Sequence, residues 1–213
     1  MTGGPEIPIM GERVSREALL RIVAGRWGGR PIRAPRGLSV RPTTDRVREA
    51  VFGILGDRVE GASVLDLFAG TGAMALEALS RGAAEAVLVE SSPVAFASLR
   101  GNVEALGAEE AVCLPLDYRK AIRGLASKGR RFSLVFLDPP YGSGLVGRSA
   151  AELHRAGILS PGAVAVAERA ARDPGESVPE GWEERTARRY GDTRITLYDI
   201  PGARGKPTTV GPG

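Results

Sequence analysis

The sequence passes from an apolar run into a glycine-rich turn in Val64-Leu65-Asp66-Leu67-Phe68-Ala69-Gly70-Thr71-Gly72. A helical pattern follows directly and covers residues 72–80. In doubly wound α/β folds a buried strand enters a helix through such a turn, and ligands bind beyond the carboxyl ends of the strands. Because glycine lets a ligand approach the backbone closely, this turn is the first candidate for a nucleotide site.

The same strand and helix alternation continues toward the carboxyl terminus. Apolar runs that are typical of buried strands cover residues 64–68, 86–89, 111–114, 132–137 and 163–167. Helical patterns lie between them at residues 93–106, 118–125 and 145–156. The alternation predicts an α/β fold with a doubly wound parallel sheet, covered on both faces and joined by right-handed crossovers. A β-hairpin is predicted at the sheet edge, from two final runs that are separated by Gly191 and Asp192.

Composition limits the class of protein. The chain has 213 residues, of which 43% are hydrophobic and 25% are charged, so one α/β core with a short extension is expected. No run of about 18 apolar residues occurs, and the first ten residues hold two glycines and two prolines. We therefore expect neither a membrane span nor a signal peptide, and a cytoplasmic location. A single cysteine, Cys113, excludes an internal disulfide and provides too few thiols for a structural zinc site.

Four regions are predicted along the chain. Residues 1–12 and 201–213 are rich in glycine and proline and are expected to be disordered tails. Residues 13–60 form a basic arm or hairpin followed by a helix, and residues 61–200 form the α/β domain. The helix begins after Thr43 or Thr44, either of which can cap it, and ends near Gly56. Its apolar face is predicted to hold Val47, Val51, Ile54 and Leu55.

The arm carries eight arginines between residues 21 and 48, against one acidic residue, Asp45. One guanidinium group can bind two phosphate oxygens at once, and a tryptophan can stack on a base. The arm is therefore predicted to contact RNA. Ordinary surface charge is the alternative, since the chain has only three lysines and uses arginine throughout. The predicted RNA-binding residues are Arg21, Arg26, Trp27, Arg30, Arg33, Arg41 and Arg46.

The glycine turn lacks the features of two common phosphate-binding motifs. Ala75 occupies the third glycine position of a dinucleotide fingerprint, and no Gly-Lys-Ser/Thr follows as in a P-loop. The carboxylate of Asp66 would repel a pyrophosphate but suits a ligand with an ammonium group. Glu90 ends the second strand 24 residues later, where a carboxylate typically accepts both ribose hydroxyls.

The fourth strand runs directly into Asp138-Pro139-Pro140-Tyr141. Two successive prolines fix the backbone and remove two N–H donors, which leaves carbonyl acceptors in fixed directions. Asp138 and the Pro139 carbonyl can then accept the two hydrogens of an exocyclic amine, while Tyr141 supplies a face for a planar ring. No Ser/His/Asp or Cys/His constellation is recognisable, which disfavours hydrolase chemistry.

Residues 66–72 and 138–141 resemble motifs I and IV of the S-adenosylmethionine-dependent amino methyltransferases. Two flanking stretches resemble the RsmD family, bacterial methyltransferases for a guanine N2 of small-subunit (16S) ribosomal RNA. These stretches are Arg21-Ile22-Val23-Ala24-Gly25-Arg26-Trp27 and Arg41-Pro42-Thr43-Thr44-Asp45-Arg46-Val47-Arg48-Glu49-Ala50-Val51-Phe52. The resemblance covers about residues 21–200.

The resemblance implies a seven-stranded class I methyltransferase sheet, which is Rossmann-like, with a small N-terminal extension. It implies S-adenosylmethionine as cofactor, no metal, and ribosomal RNA within a small-subunit assembly as partner, with the protein acting as a monomer. Asp117 would lie near the adenine amine. The predicted cofactor residues are Asp66, Phe68, Ala69, Gly70, Gly72, Glu90, Ser91, Asp117 and Tyr118, and the predicted catalytic residues are Asp138, Pro139, Pro140 and Tyr141.

In this hypothesis Asp138 orients the guanine N2, supports its developing positive charge and accepts its proton. Most of the rate acceleration would come from positioning the amine in line with the methyl group, with the base flipped out and placed against Tyr141. One alternative is an amino methyltransferase acting on another RNA, on DNA adenine or cytosine, or on a protein glutamine. The other is an RNA-binding module without catalysis. Cofactor binding separates the second alternative from the enzymes, and the methylated product separates the enzymes from each other.

Overall fold

The computed structural model describes residues 20–34, 45–173 and 175–201. The predicted tail 1–12, nearly all of the tail 201–213, Arg41 and the two expected capping threonines lie outside the described residues. The described helices and strands, in chain order, are β1 Leu20–Arg21, β2 Pro31–Ile32, α1 Asp45–Leu55, a 3₁₀ helix Gly56–Arg58, β3 Ser63–Asp66, α2 Ala73–Ser80, β4 Glu85–Val89, α3 Pro93–Leu106, β5 Ala111–Leu114, α4 Tyr118–Ser127, β6 Phe132–Leu137, α5 Leu145–Ala156, β7 Leu159–Ala170, β8 Glu183–Tyr190 and β9 Thr193–Asp199.

Seven of these strands form one sheet in the order β5-β4-β3-β6-β7-β9-β8. The first five strands in this order pair in parallel, while β9 pairs antiparallel with both β7 and β8. The predicted doubly wound α/β fold is confirmed, and so is the hairpin at the sheet edge. The chain order reverses direction between β3 and β6, so the carboxyl ends of these neighbouring strands border a crevice, where α/β folds bind ligands.

Several strand predictions differ from the structure in their bounds, and the predicted strand 86–89, for example, begins one residue earlier, at Glu85. The predicted strand 64–68 ends at Asp66, although the Leu67 N–H still donates to the Phe136 carbonyl at 3.2 Å. The predicted strand 163–167 extends over the whole of β7, because β7 pairs with β6 on one side and with β9 on the other.

The sheet separates two apolar cores. The first core lies on the face covered by the arm, α1, α2 and α3. The second core lies on the opposite face, which is covered by α4 and α5. The arm strands β1 and β2 form a short antiparallel hairpin whose apolar side chains belong to the first core. Phe52 of α1 lies against Phe136 of β6, with ring centroids 6.0 Å apart. The arm is therefore built into the core of the α/β sheet.

Polar side chains of α2 hold the arm in place. The buried Glu77 carboxylate accepts the Val23 N–H at 2.7 Å and the Ala24 N–H at 3.0 Å, and it pairs with Arg81. Gly25 has φ +82°, and a Cβ there would lie 1.9 Å from the Ser80 carbonyl oxygen. Glycine is therefore required at this position, both by the backbone angle and by the close approach of α2.

Candidate active site

The glycine turn after β3 is closed by a carboxylate from the neighbouring strand. Gly70 and Gly72 have φ values of +54° and +83°, and a Cβ on Gly72 would lie 2.6 Å from a Leu99 methyl carbon. The Glu90 carboxylate accepts the Gly70 N–H at 2.9 Å and the Ser92 N–H at 2.7 Å. Glu90 thus fixes the turn after β3 to the turn after β4, and each of its oxygens keeps a second lone pair for a ligand.

A cavity of about 230 Å³ opens beside this turn. It brings together five predicted cofactor residues and one predicted catalytic residue, namely Phe68, Glu90, Ser91, Asp117, Tyr118 and Pro140. The other lining residues were not predicted from the sequence and are Leu67, Val89, Leu116, Arg119, Leu145 and Arg148. Asp66, Ala69, Gly70 and Gly72 lie in or under the turn and do not line the cavity.

One end of the cavity suits a planar ring. The Phe68 and Tyr118 rings are 5.5 Å apart and inclined at 46°. Asp117 is exposed, and its carboxylate caps α4 by accepting the Arg119 N–H at 2.9 Å. The Tyr118 hydroxyl is buried and has no hydrogen-bond partner among the described residues. An aromatic wall, an orphaned hydroxyl and an exposed carboxylate fit an aromatic ring with an exocyclic amine.

Three carboxyl groups lie at the ends of adjacent strands on the face of the first core. Asp66 ends β3, Asp138 follows β6, and Glu168 belongs to β7. Burial raises the pKa of Asp66 to about 7, with a further contribution from Glu90, while backbone N–H groups oppose the change. Burial, and then the charges of Glu168 and Asp66, raise the pKa of Asp138 well above its ordinary value. Like charges close together in a poorly solvated site explain these directions.

Tyr141 is anchored at its hydroxyl. The hydroxyl lies 2.9 Å from Glu168 Oε1, to which it donates, and 2.8 Å from Thr193 Oγ1. Burial, followed by the contribution of Glu168, raises the pKa of Tyr141 to about 12, although the Thr193 bond opposes this. Neither Glu168 nor Thr193 was predicted as a site residue. An acidic residue at a strand end was the available signal for Glu168, since Asp66 and Asp138 follow the same pattern.

A second cavity, of about 140 Å³, lies beside Tyr141. Its lining includes Tyr141, Arg172, Arg189 and Asp192. The Asp138 turn therefore borders, through Tyr141, a groove that carries two exposed arginines.

The predicted RNA-binding residues of the arm have several different environments. Arg26 makes a two-bond ion pair with Glu110, at 2.8 and 2.9 Å, and lies 3.9 Å from the centre of the Trp27 ring. Trp27 is only 8% exposed and belongs to the first core, so its predicted role as a base-stacking platform is wrong. The Arg30 guanidinium donates to the Ala105 carbonyl.

The remaining described arginines of the set lie on the surface. The side chains of Arg21, Arg33 and Arg46 are exposed, and Arg21 has a loose pair with Asp45 at 3.9 Å. The backbone of Arg33 is fixed by Asn102 of α3, which also donates to the Thr71 carbonyl at 2.9 Å. Asn102 thus connects the arm directly to the glycine turn.

Within residues 20–34, 45–173 and 175–201, no group of three or more His, Cys, Asp or Glu side chains could hold a metal ion. None of the helices in the same part of the chain combines the length and the apolarity needed to cross a membrane. The described groups can accept protons and hydrogen bonds and can orient an amine near the cavity of about 230 Å³.

Known proteins share both the sequence and the fold. The family model described as conserved hypothetical protein 95 matches residues 20–199. Ribosomal RNA small subunit methyltransferase D of Escherichia coli strain K12 is 36% identical over 179 residues, which are 84% of this chain and 89% of that protein. The protein of the same name from Haemophilus influenzae is 31% identical over 184 residues, covering 84% of this chain and 93% of the relative.

A solved structure agrees with these relatives. The Escherichia coli protein yhhF superposes with a TM-score of 0.77 at 35% identity, covering 86% of this chain and 99% of that chain. The resemblance noted from the two motifs and their flanking stretches is thereby confirmed. The chain belongs to the conserved hypothetical protein 95 family, the RsmD family of methyltransferases.

Proposed function

We propose that this protein transfers a methyl group from S-adenosylmethionine to the exocyclic N2 of a guanine in small-subunit (16S) ribosomal RNA. It is an S-adenosylmethionine-dependent methyltransferase of the RsmD family, and two of its relatives bear the name ribosomal RNA small subunit methyltransferase D. One observation carries the proposal. The turn that presents Asp138 and Tyr141 also lines the cofactor cavity through Pro140, so a methyl donor and a target amine would meet at this turn.

The residues of the cavity fit S-adenosylmethionine. Glu90 lines the cavity and accepts the ribose hydroxyls with the lone pairs that its backbone contacts leave. Asp66 does not line the cavity but lies at the glycine turn beside it, and it is the proposed carboxylate for the amino-acid end. Asp117 accepts the adenine amine beside the Phe68 and Tyr118 rings. When bound, the cofactor supplies an electrophilic methyl group on a sulfonium. The protein itself then has to orient the acceptor amine and remove one proton.

Asp138 performs that task. The guanine N2 lone pair is delocalised into the ring, so N2 becomes nucleophilic only when its hydrogens are held and the nitrogen moves toward tetrahedral geometry. The Asp138 carboxylate and the Pro139 carbonyl hold the two N2 hydrogens, and the carboxylate accepts one as a proton. Tyr141 presents its ring to the flipped base, with its hydroxyl anchored by Glu168 and Thr193.

The RNA backbone would cross two basic surfaces. The exposed arginines Arg21 and Arg33 of the arm and Arg46 of α1 form the first, and the groove with Arg172 and Arg189 beside Tyr141 forms the second. Phosphate contacts of this kind position an RNA without reading its sequence. We propose further that the protein acts as a monomer on an assembling small subunit, which would put it in the cytoplasm.

Labelled methyl transfer tests the proposal. Small subunits from cells that lack the enzyme are incubated with the protein and labelled cofactor, and the modified nucleoside is identified by mass spectrometry. We expect N2-methylguanosine in 16S RNA. Large-subunit RNA, DNA and an Asp138→Asn variant serve as controls that should take up little label. A different methylated nucleoside, or labelled protein, would contradict the proposed target, and absence of any transfer would contradict the proposed activity.

A further inference from the structure

We infer that Glu168 is a positioning residue for this reaction, acting through its two neighbours: its charge makes Asp138 a stronger proton acceptor, and its carboxylate fixes Tyr141. The inference rests on the proposed function, in which Asp138 takes the proton of the target amine. Glu168 itself is 8% exposed and so has little surface with which to meet a substrate.

The strand register puts the two carboxyl groups side by side. Strands β6 and β7 run parallel, with Phe136 opposite Val166 and Leu137 opposite Ala167. The next residue is Asp138 at the end of β6 and Glu168 on β7. Paired residues of parallel strands point to the same face of a sheet, so both carboxyl groups leave the sheet on the face of the first core. Two like charges at neighbouring positions of a poorly solvated face interact strongly.

The second neighbour, Tyr141, links Glu168 to the end of the Asp138 turn. Its hydroxyl donates to Glu168 Oε1 at 2.9 Å and contacts Thr193 Oγ1 at 2.8 Å. Because the pKa of Tyr141 is raised, the hydroxyl stays protonated and continues to donate throughout the neutral range. The turn that carries Asp138 is thus held at both ends, by β6 before it and by the bond to Glu168 on β7 after it.

Charged and apolar side chains of the neighbouring described strands surround this pair. On β3, Asp66 adds a third acidic group and acts on Asp138 in the same direction as Glu168. On β9, Ile195 lies opposite Glu168 and is apolar, and the exposed Arg188 of β8 follows beyond it. The next residue of β7, Arg169, points to the opposite face, where it donates to Thr196 at 3.4 Å.

This arrangement favours the proton step. As the N2 lone pair forms the new carbon–nitrogen bond, the methyl–sulfur bond of the sulfonium donor would break, with its electron pair left on sulfur in a thioether leaving group. One N2 hydrogen passes as a proton to the Asp138 carboxylate, and the electrons of that N–H bond stay on nitrogen. The negative charge of Glu168 favours proton uptake by Asp138, because protonation of Asp138 leaves one negative charge where there were two adjacent ones. In Glu168→Gln this charge is gone, and Asp138 is a weaker proton acceptor.

The pH dependence of single-turnover methylation tests the inference. The rate should rise with pH as Asp138 ionises, and in Glu168→Gln this rise should move to lower pH by about one unit or more. The plateau rate should fall roughly tenfold, because a weaker base assists less, while the KM for RNA stays within a few-fold. Glu168→Asp keeps the charge and should stay close to the parent. Glu184→Gln, at an exposed position of β8, is the matched control and should leave the profile unchanged.

A second measurement does not need activity. Carboxyl ¹³C titration of the protein without cofactor or RNA follows Asp138 directly, with its signal assigned by its loss in Asp138→Asn. The Asp138 midpoint should fall in Glu168→Gln and stay raised in Tyr141→Phe. An unchanged Asp138 midpoint in Glu168→Gln would overturn the inference, as would a rate loss that is equal at every pH. If the parent shows no methylation, the proposed function fails, while the titration still decides whether Glu168 acts on Asp138.

Discussion

Replacing Asp66 with Asn should change how the stability of the protein depends on pH. The pKa of Asp66 is raised from 3.8 to about 7, mainly by burial, and the residue is 3% exposed. A group with a raised pKa in the folded chain adds stability at low pH, which is lost as pH rises through that value. Asp66 should therefore make the parent protein progressively less stable between about pH 4 and pH 7.

The magnitude follows from the two pKa values. At 1.36 kcal/mol per pH unit, the difference between 3.8 and about 7 corresponds to about 4 kcal/mol in the free energy of unfolding. Asn has a similar shape but never ionises. The gain in stability from Asp66→Asn should accordingly be about 4 kcal/mol larger at pH 8 than at pH 4. Asp138 contributes a slope of its own, and because the Asp66 charge helps to raise the pKa of Asp138, the difference between the two curves contains the Asp66 effect together with this smaller contribution.

Urea denaturation between pH 4 and pH 8 measures the effect, with circular dichroism as the probe. Asp117→Asn is a suitable control, because it removes an exposed carboxyl and keeps a side chain that can cap α4. Parallel curves for the parent and Asp66→Asn would refute the reasoning. They would mean that the ionised Asp66 carboxylate is as stable in the folded chain as it is in water.

Three further predictions concern catalysis, RNA binding and the arm. Asp138→Ala should leave the affinity for S-adenosylmethionine near that of the parent, measured by calorimetry, while single-turnover methylation falls at least about 100-fold. Activity within a few-fold of the parent would remove Asp138 from the mechanism. Replacing Arg21, Arg33 and Arg46 with Gln should reduce the slope of log affinity for RNA against log salt by about two, in filter binding at several salt concentrations. An unchanged slope would put the RNA elsewhere. Gly25→Ala should destabilise the protein by about 1–3 kcal/mol in thermal unfolding, because its φ is +82° and a Cβ would meet a backbone carbonyl of α2 at 1.9 Å. A melting temperature equal to that of the parent would contradict this packing.

The sequence by itself determined the fold class and the main elements of the site. Periodicity and glycine positions are local signals, and they located every strand of the large sheet, although β7 is much longer than the predicted strand 163–167. The glycine turn and the Asp138-Pro139-Pro140-Tyr141 stretch are also local, since the prolines and glycines restrict their own backbone angles. Glu90 could be predicted because its spacing from Asp66 equals one strand–helix–strand unit.

Only the tertiary structure decided which distant residues meet. Glu168 lies 30 positions after Asp138, and the two become neighbours because β6 and β7 pair in parallel with one particular register. A single-residue change in that register would turn Glu168 to the opposite face. Trp27 could not be assigned from its basic neighbours, since its burial depends on α2 and on Arg26.

The buried Glu77 is another residue whose role depends on the tertiary structure. In the sequence it is one acid in a helix, whereas in the fold it receives two backbone N–H groups of the arm. Burial and like-charge repulsion depend on what packs around a group, and that packing exists only after all strands have taken their order in the sheet.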